Sequence, residues 1–225
     1  MAARVGRKGV VIIPAMIHEI LPVGPLQCNC SILGDEETRT ALVVDPGDEL
    51  AKIEEILERH KLKVVGIIIT HAHVDHVGAA AELRRRTGAP VYMNENDMRM
   101  REYLGIQAGL LNMKAPEKPE IDVMVRDADT VKLADTNLIV LHTPGHTRGS
   151  ISLHLPSEGK LLAGDTLFRD SIGRTDMPGG DSHQILASIR DKLLTLDDDT
   201  IVLPGHGPET TIGHEREFNY FLQNL

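Results

Sequence analysis

The pattern of hydrophobic and polar positions changes between two periods along the chain. Residues 64–69 form a β-branched run interrupted only by Gly66, which is typical of a strand covered on both faces. Between residues 48 and 60 the apolar side chains recur every three or four positions with charged residues between them, which predicts an amphipathic helix. Strands and helices therefore follow each other closely in the first part of the chain.

The same criteria predict the remaining elements. Predicted strands cover residues 10–13, 16–21, 26–33, 41–44, 90–93, 130–133, 138–142, 150–155, 160–162 and 201–203. Predicted helices cover residues 79–86, 182–194 and 214–222. Residues 104–120 carry Gly, Pro and Met without periodicity and are predicted to form a mobile loop over the functional site. Because each half begins with strands and continues to helices, we expect an α+β fold, a four-layer αββα sandwich of two mixed β-sheets with helices on the outer faces.

Composition excludes several classes of protein. The 225 residues contain no Pro/Gly/Ser-rich linker, so a single domain over residues 1–225 is expected. No apolar run is long enough to cross a bilayer, which argues against a membrane partner. A net charge of −9 and an aromatic share of 3% argue against binding to nucleic acid. The composition indicates no particular oligomeric state.

The N-terminal residues are basic and then apolar, which is similar to an export signal. Pro14 interrupts the apolar run, His18 and Glu19 follow soon after, and no small-residue cleavage site is evident. A short first strand at residues 10–13 is therefore the preferred interpretation, and a cytoplasmic location is expected.

Two cysteines, Cys28 and Cys30, are separated by one residue within a predicted strand. They exclude a disulfide framework. Residues i and i+2 share a strand face, so a chelating pair is one interpretation, but two small side chains in the core are favoured.

Residues that bind metals concentrate in one segment. His71, His73, Asp75 and His76 lie within six positions directly after the predicted strand at residues 64–69. In an extended segment His71 and His73 point the same way and can bind one cation, whereas a turn would direct Asp75 and His76 toward a second. Imidazole nitrogens and carboxylate oxygens are ligands of divalent metals. The segment therefore predicts a metal site.

Three further candidate ligands follow strands elsewhere in the chain. His146 and His206 each come after a strand and a Pro-Gly turn, and Asp165 ends another strand, where a carboxylate could bridge two cations. Asp45 lies in an Asp-Pro-Gly turn and is predicted to support a ligand histidine. Five histidines lie within predicted elements or on solvated faces and are assigned no metal: His18, His60, His154, His183 and His214. For His142, which is close to the His146 turn, a supporting or core role is favoured.

The segment His71-Ala72-His73-Val74-Asp75-His76 resembles the signature of the metallo-β-lactamase superfamily, and the resemblance covers nearly the whole chain. It implies a metal-dependent hydrolase that uses a hydroxide bound by two divalent cations, with Zn²⁺ expected and iron as the alternative. It further implies that Asp75 is also catalytic because it orients the attacking oxygen. The implied ligands of one metal are His71, His73 and His146, those of the other are Asp75, His76 and His206, and Asp165 bridges the two.

The segments 164–168 and 173–176 resemble the glyoxalase II and persulfide dioxygenase branch of this superfamily. The resemblance implies a small-molecule substrate, a glutathione-linked sulfur compound, with Arg174 contacting its anionic tripeptide. An exposed loop arginine is the alternative interpretation of Arg174.

Few residues follow His206, so the chain resembles the short bacterial glyoxalase II type, which lacks the C-terminal helical region of longer enzymes. Thioester hydrolysis is therefore the expected activity. The main alternative is a persulfide dioxygenase in which His71, His146 and Asp165 hold one iron. A β-lactamase is disfavoured because the bridging position carries Asp165 in place of cysteine.

Overall fold

A computed structural model describes residues 16–223 and residue 225; the strand predicted at residues 10–13 lies outside them. The first half of the described chain forms a six-stranded sheet whose strands are adjacent in chain order. These strands are β1 (Ile17–Val23), β2 (Cys28–Gly34), β3 (Thr40–Val44), β4 (Lys63–Ile68), β5 (Val91–Asn94) and β6 (Val123–Val125). Strands β1 to β3 pair antiparallel, and β3 to β6 pair parallel.

Helices connect the parallel strands of this first sheet. They are α1 (Leu50–His60), α2 (Val74–Val77), α3 (Ala80–Thr87), α4 (Met98–Arg101) and α5 (Leu104–Leu110). Helix α1 buries Ile53, Ile56 and Leu57 on one side, as its period predicts, and it ends where Lys61 adopts a left-handed conformation.

The second half forms another six-stranded sheet, in the order β14-β13-β10-β9-β8-β7. Its elements in chain order are β7 (Thr130–Leu133), β8 (Thr136–His142), β9 (Ile151–Leu155), β10 (Lys160–Gly164), the hairpin β11 (Leu167–Phe168) and β12 (Ser171–Ile172), helix α6 (Ser182–Ser188), β13 (Ile201–Pro204), β14 (Thr210–Thr211) and helix α7 (Ile212–Phe218). All neighbours in this sheet are antiparallel except β10 and β13. None of the helices in the described residues has both the length and the hydropathy of a bilayer-spanning segment.

Three apolar clusters separate four layers. One lies between the first sheet and its helices and includes Ile53 and Leu83. The second fills the space between the sheets, where Leu42 and Ile68 of the first sheet share a cluster with Leu153 of the second. The third joins the second sheet to α6. The predicted αββα sandwich is confirmed.

The prediction of a loop over residues 104–120 is wrong for its first part, because residues 104–110 form α5. Two glycines in this segment obscure its period, but Leu104 and Ala108 occupy one helix side and are completely buried. Gln107 on the same helix accepts a hydrogen bond from Val74 N (2.9 Å) and donates one to Ala72 O (3.2 Å). This helix is therefore held against the histidine-rich segment.

The C-terminal helix also begins earlier than predicted. Thr211 accepts a hydrogen bond from the backbone of His214, so α7 starts at Ile212, and it ends at Phe218 before a short 3₁₀ turn.

Candidate metal centre

The seven predicted metal ligands lie together at one edge of the two sheets. His71 and His73 follow β4 in an extended segment, and α2 then turns the chain so that Asp75 and His76 point back toward them. The remaining three come from loops after β8, β10 and β13 and are His146, Asp165 and His206. A backbone hydrogen bond from Asn29 to Gly205 O (2.7 Å) ties the two sheets at this edge.

Three imidazoles form the first cluster of candidate ligands, called here the three-imidazole group: His71, His73 and His146. The Nδ1 atom of His73 lies 3.1 Å from Nε2 of His71 and 2.9 Å from Nε2 of His146. All three side chains are buried. These nitrogens are close enough together to coordinate one cation.

The second cluster, the mixed group, consists of Asp75, His76 and His206. The Nε2 atom of His206 lies 3.2 Å from Oδ2 of Asp75 and 3.2 Å from Nε2 of His76. His76 is fully buried, whereas the His206 side chain is 26% exposed. This group combines one carboxylate with two imidazoles and borders solvent.

Asp165 lies between the two groups. Its Oδ2 atom is 3.6 Å from Nε2 of His146 and 3.7 Å from Nε2 of His206, and its Oδ1 atom is 3.5 Å from Nε2 of His76. One carboxylate thus reaches both sets of imidazoles, which is the position of a bridging ligand.

Backbone carbonyls orient two of the histidines. His146 donates from Nδ1 to the carbonyl of Arg174 (2.8 Å), and His206 donates from Nδ1 to the carbonyl of Leu26 (3.0 Å). A carbonyl can only accept, so each ring carries a proton on Nδ1, which leaves Nε2 as the nitrogen that can coordinate a cation.

Asp45 and Thr70 orient two more. The Oδ2 atom of Asp45 accepts a hydrogen bond from Nδ1 of His76 (2.9 Å) and one from the Thr70 hydroxyl (2.6 Å). That hydroxyl in turn accepts from Nδ1 of His71 (3.1 Å). Asp45 therefore supports a ligand histidine, as predicted, and in His71 and His76 the Nε2 atom is likewise the one left to coordinate a cation.

The donor set fits divalent cations. The nitrogens of each group face other imidazole nitrogens or carboxylate oxygens at 2.9–3.7 Å, an arrangement in which a divalent cation can take the place of the protons between them. Among the described residues, two buried side-chain polar atoms lack a hydrogen-bond partner, and both belong to this centre: Nε2 of His73 and Oδ1 of Asp165.

Burial keeps two histidines of the three-imidazole group, His71 and His73, neutral. It lowers the pKa of His73 to about 3, and the neighbouring imidazole of His146 adds to the effect. It also lowers the pKa of His71 well below its ordinary value, again with help from adjacent histidines. Metals bind neutral imidazole, so these side chains are in the binding form at neutral pH.

The mixed group carries charge. Burial alone would raise the pKa of Asp75, but the facing imidazoles of His76 and His206 hold it well below its usual range. Burial likewise opposes a charge on His206, yet the carboxylates of Asp75 and Asp165 raise its pKa above the ordinary value. An anionic ligand is therefore present near solvent.

Two glycines allow the loops to approach this closely. A Cβ atom at Gly205 would lie 2.2 Å from Oδ1 of Asp165, and one at Gly145 would lie 2.2 Å from the backbone nitrogen of Ile185. Gly145 also has φ +136°, which is unfavourable for other residues. The Pro-Gly turns noted in the sequence thus bring His146 and His206 into place.

Asp97 was not predicted and connects the ligand loops. This buried carboxylate accepts hydrogen bonds from Ala72 N (2.8 Å), from the Thr147 hydroxyl (2.8 Å) and from Gly149 N (2.6 Å). It follows β5, the parallel neighbour of β4, so it emerges at the same sheet edge. That adjacency is the signal that could have identified it.

Cys28 and Cys30 are completely buried, as the core interpretation predicted. The sequence did not predict that Cys28 Sγ would lie 3.5 Å from Nδ1 of His76, behind the mixed group. His142 forms no hydrogen bond with any of the seven candidate ligands. Its Nε2 atom donates a hydrogen bond to the carbonyl of Arg148, on the loop that carries His146.

Arg174 contacts the centre through its backbone. Its carbonyl holds His146, whereas its guanidinium is 62% exposed and forms a two-point ion pair with Asp176 (2.8 and 2.9 Å). Substrate binding by its side chain stays a prediction.

Residues 23–206 match the family model of the metallo-β-lactamase superfamily. The chain belongs to this superfamily. Its members bind divalent metals, and the histidine and aspartate clusters of this chain fit such a site.

A curated relative is the hydroxyacylglutathione hydrolase GloC of Haemophilus influenzae, which is 39% identical over 92% of this chain and 98% of its own length. Together, the family match and this relative support a hydrolase-like enzyme.

Solved structures of superfamily members have the same fold. The B3 metallo-β-lactamase BLEG-1 is 36% identical, with a TM-score of 0.84 over 92% of this chain and all of that chain. TTHA1623, solved in a di-iron-bound form, is 35% identical, with a TM-score of 0.79 over 94% of this chain and all of that chain. ETHE1 from Myxococcus xanthus is 30% identical, with a TM-score of 0.77 over 91% of this chain and 84% of that chain.

Proposed function

We propose that this protein is a metal-dependent thioesterase that hydrolyses hydroxyacylglutathione-like thioesters. The observation that carries the proposal is the convergence of two ligand groups on the shared carboxylate of Asp165. The 39% identity to a hydroxyacylglutathione hydrolase supports the choice of a thioester as the substrate class.

In this proposal the three-imidazole group binds one cation, the mixed group binds the other, and Asp165 contacts both. A pair of divalent cations, Zn²⁺ in the proposal, supplies Lewis acidity and brings the pKa of a water down to about 7. The Nδ1 hydrogen bonds described above hold four of the histidines in the tautomer that binding requires.

Asp75 has a second role in this mechanism. Its contacts with His76 and His206 use Oδ2, so Oδ1 can accept a hydrogen bond from the attacking water and orient it toward the thioester carbonyl. Asp75 is held in its charged form by its imidazole neighbours, which suits it to accept that hydrogen bond at neutral pH.

A second candidate is a persulfide dioxygenase that holds one iron. It is favoured by the similarity to ETHE1 from Myxococcus xanthus and by the contacts of His71 and His146 with Oδ2 of Asp165 (4.0 and 3.6 Å). Two neutral imidazoles and one carboxylate are the ligands of many non-haem iron oxygenases.

Metal content and turnover, measured together on the purified protein, test the proposal. We expect two divalent metals per chain and hydrolysis of lactoylglutathione that stops on chelation and returns when metal is added. One bound iron, with oxygen consumption on glutathione persulfide and no thioester hydrolysis, would establish the second candidate instead. Cleavage of a β-lactam without thioester hydrolysis would also contradict the proposal. The single domain, the cytoplasmic location and the absence of a nucleic-acid partner stay predictions.

A further inference from the structure

An open cleft of about 560 Å³ borders the metal centre on the side of the mixed group. One wall is the β11–β12 hairpin and the other is the loop that follows β13, with His206 between the cleft and the centre. The lining residues are Phe168, Arg169, Asp170, Ser171, His206, Gly207 and Pro208. A volume of this size accommodates a small-molecule ligand.

We propose that this cleft binds the thiol portion of the substrate and that Arg169 binds a carboxylate on that portion. The proposal rests on the proposed function, because it names the part of the thioester that lies beside His206. It assigns the anionic end of the substrate to a residue outside the predicted set.

The hairpin that carries Arg169 is held in place by hydrogen bonds to helix α7 and to the residue that follows it. Its two-residue turn consists of Arg169 and Asp170, and Asp170 has φ +58°, a left-handed conformation. The buried carboxylate of Glu215 accepts a hydrogen bond from Asp170 N (3.0 Å), and Asn219 donates from Nδ2 to the carbonyl of Ser171 (3.0 Å). Helix α7 therefore holds the turn at a defined place on the cleft wall.

The guanidinium of Arg169 is only weakly engaged within the protein. Its ion-pair contact among the described residues is Asp170, with Nε 3.9 Å from Oδ2, and the other oxygen of Asp170 lies 2.7 Å from Nε2 of His214. Arg174, by contrast, pairs two of its nitrogens with Asp176. Of these two arginines, Arg169 retains donors for an incoming carboxylate.

The remainder of the cleft suits an elongated organic ligand. Phe168 on the hairpin and Pro208 on the loop after β13 offer apolar surface to the cleft, and Arg169 adds a positive charge to a chain whose net charge is −9. An anionic ligand would otherwise be repelled by this acidic protein. A thioester whose carbonyl lies at the metal centre can extend its thiol portion past His206 into this space.

Binding of S-methylglutathione, a thioether that cannot be hydrolysed, tests the proposal without relying on turnover. We expect R169Q to weaken its Kd about 3- to 10-fold, since a charge-assisted hydrogen bond in a partly exposed site has a modest effect. Raising the salt concentration should weaken binding to the natural protein more than binding to R169Q. R169K should recover part of the affinity.

Arg190 provides a matched control. Like Arg169, it is 52% exposed and is followed by an aspartate with which it pairs, but it does not line the cleft. R190Q should leave Kd unchanged. Equal Kd values for R169Q and R190Q, or a loss of affinity confined to R174Q, would overturn the proposal, as would no binding by the natural protein.

Kinetics separate this proposal from the proposed function. With lactoylglutathione, R169Q should raise KM and leave kcat nearly unchanged, whereas with the uncharged N-acetylcysteamine thioester of lactate it should change neither. An equal rise in KM for the uncharged thioester would contradict a role in carboxylate binding. Arg169-dependent binding of S-methylglutathione without any thioesterase activity would contradict only the proposed function.

Discussion

The three-imidazole group and the mixed group lie side by side but differ in charge and in exposure. The first is built from three buried histidines, and burial lowers the pKa of two of them, His71 and His73, so that these two are neutral. The second contains the charged carboxylate of Asp75 and the partly exposed ring of His206. The two groups should therefore hold cations with different strength and exchange them at different rates.

The difference also extends to the surroundings of each group. Asp97 braces the loops that carry His73 and His146, so the three-imidazole group is fixed from behind by a buried carboxylate. The mixed group instead opens toward the cleft beside His206, where the substrate can approach. In the proposed function, the first group would retain its metal and the second would be the one that substrate approaches.

Removal of the shared carboxylate should have the largest effect, because it acts on both groups. We expect Asp165→Ala to lower the metal content and to reduce turnover by at least about 100-fold, more than the loss of a residue that only supports a ligand. Metal analysis and lactoylglutathione hydrolysis measure the two effects. Asp199→Ala, which removes an exposed carboxylate, is the control. Unchanged metal content in Asp165→Ala would contradict its bridging position.

Variants that each lack one histidine should show that the two groups bind separate metals. His206→Ala is expected to leave about one metal per chain, held by the three-imidazole group, and His146→Ala is expected to lose the metal of that group. Metal analysis after dialysis, combined with thermal unfolding, checks the result. Loss of both metals from each variant would show that the two groups bind their metals as one unit, and it would contradict the difference in metal binding inferred above.

Asp97→Asn should weaken the three-imidazole group without changing its ligands. The amide can accept fewer hydrogen bonds than the carboxylate, so at least one buried donor among Ala72 N, Thr147 Oγ1 and Gly149 N loses its partner, at a cost of about 1–3 kcal/mol. Thermal unfolding of the metal-free protein should show a Tm lower by about 2–10 °C.

The control for Asp97→Asn is Asp129→Asn, an exposed aspartate that accepts one backbone hydrogen bond, from Arg126. Its Tm should change little. We also expect Asp97→Asn to lower metal affinity about 10-fold, as changes behind metal ligands do. Equal effects of the two substitutions would argue that Asp97 does not brace the ligand loops.

The smallest effect concerns His18, a histidine outside both groups. Burial, with a contribution from Lys160, lowers the pKa of His18 to about 4. The unfolded chain, in which this pKa is near 6.5, then binds more protons between pH 6.5 and 4, so the free energy of unfolding falls as the pH falls through that window. His18→Gln should reduce this slope by up to about 1 kcal/mol per pH unit.

Urea unfolding of the metal-free protein at several pH values between 6.5 and 4 measures that slope. His183→Gln, at an exposed position, serves as the control and should leave it unchanged. An identical slope in His18→Gln and the natural protein would show that the neutral form of His18 is not favoured by folding. In the metal-free protein the lowered pKa values of His71 and His73 also contribute to the slope, and they contribute equally in His18→Gln and His183→Gln.

The sequence alone was sufficient for the elements whose pattern is local. Residues 64–69 are buried on both sides of the sheet as their β-branched run predicted, and the alternation of His71 and His73 followed from the geometry of an extended segment. It was insufficient for α5, where glycines hide the helical period and the burial of Leu104 and Ala108 by the rest of the fold stabilises the helix.

Contacts between residues distant in the chain were decided by the tertiary structure. His73 and His146 are 73 positions apart and His76 and His206 are 130 apart, and stacking of the two sheets brings each pair within about 3 Å. Asp97 reaches Ala72 only because β4 and β5 are parallel neighbours. The motif in the sequence could suggest which residues bind metal, but it could not reveal which residues hydrogen-bond to these ligands and to their loops.

The two arginines near the site illustrate the same division. The motif pointed to Arg174, whose guanidinium the folded chain pairs with Asp176, and it said nothing of Arg169, which the fold presents to the cleft. Residue type and spacing determine what chemistry a segment can perform, because they act over a few residues. Whether a charged side chain remains free to bind a ligand depends on which other side chains lie next to it. Side chains from distant segments meet only when the chain packs, so the tertiary structure decides this.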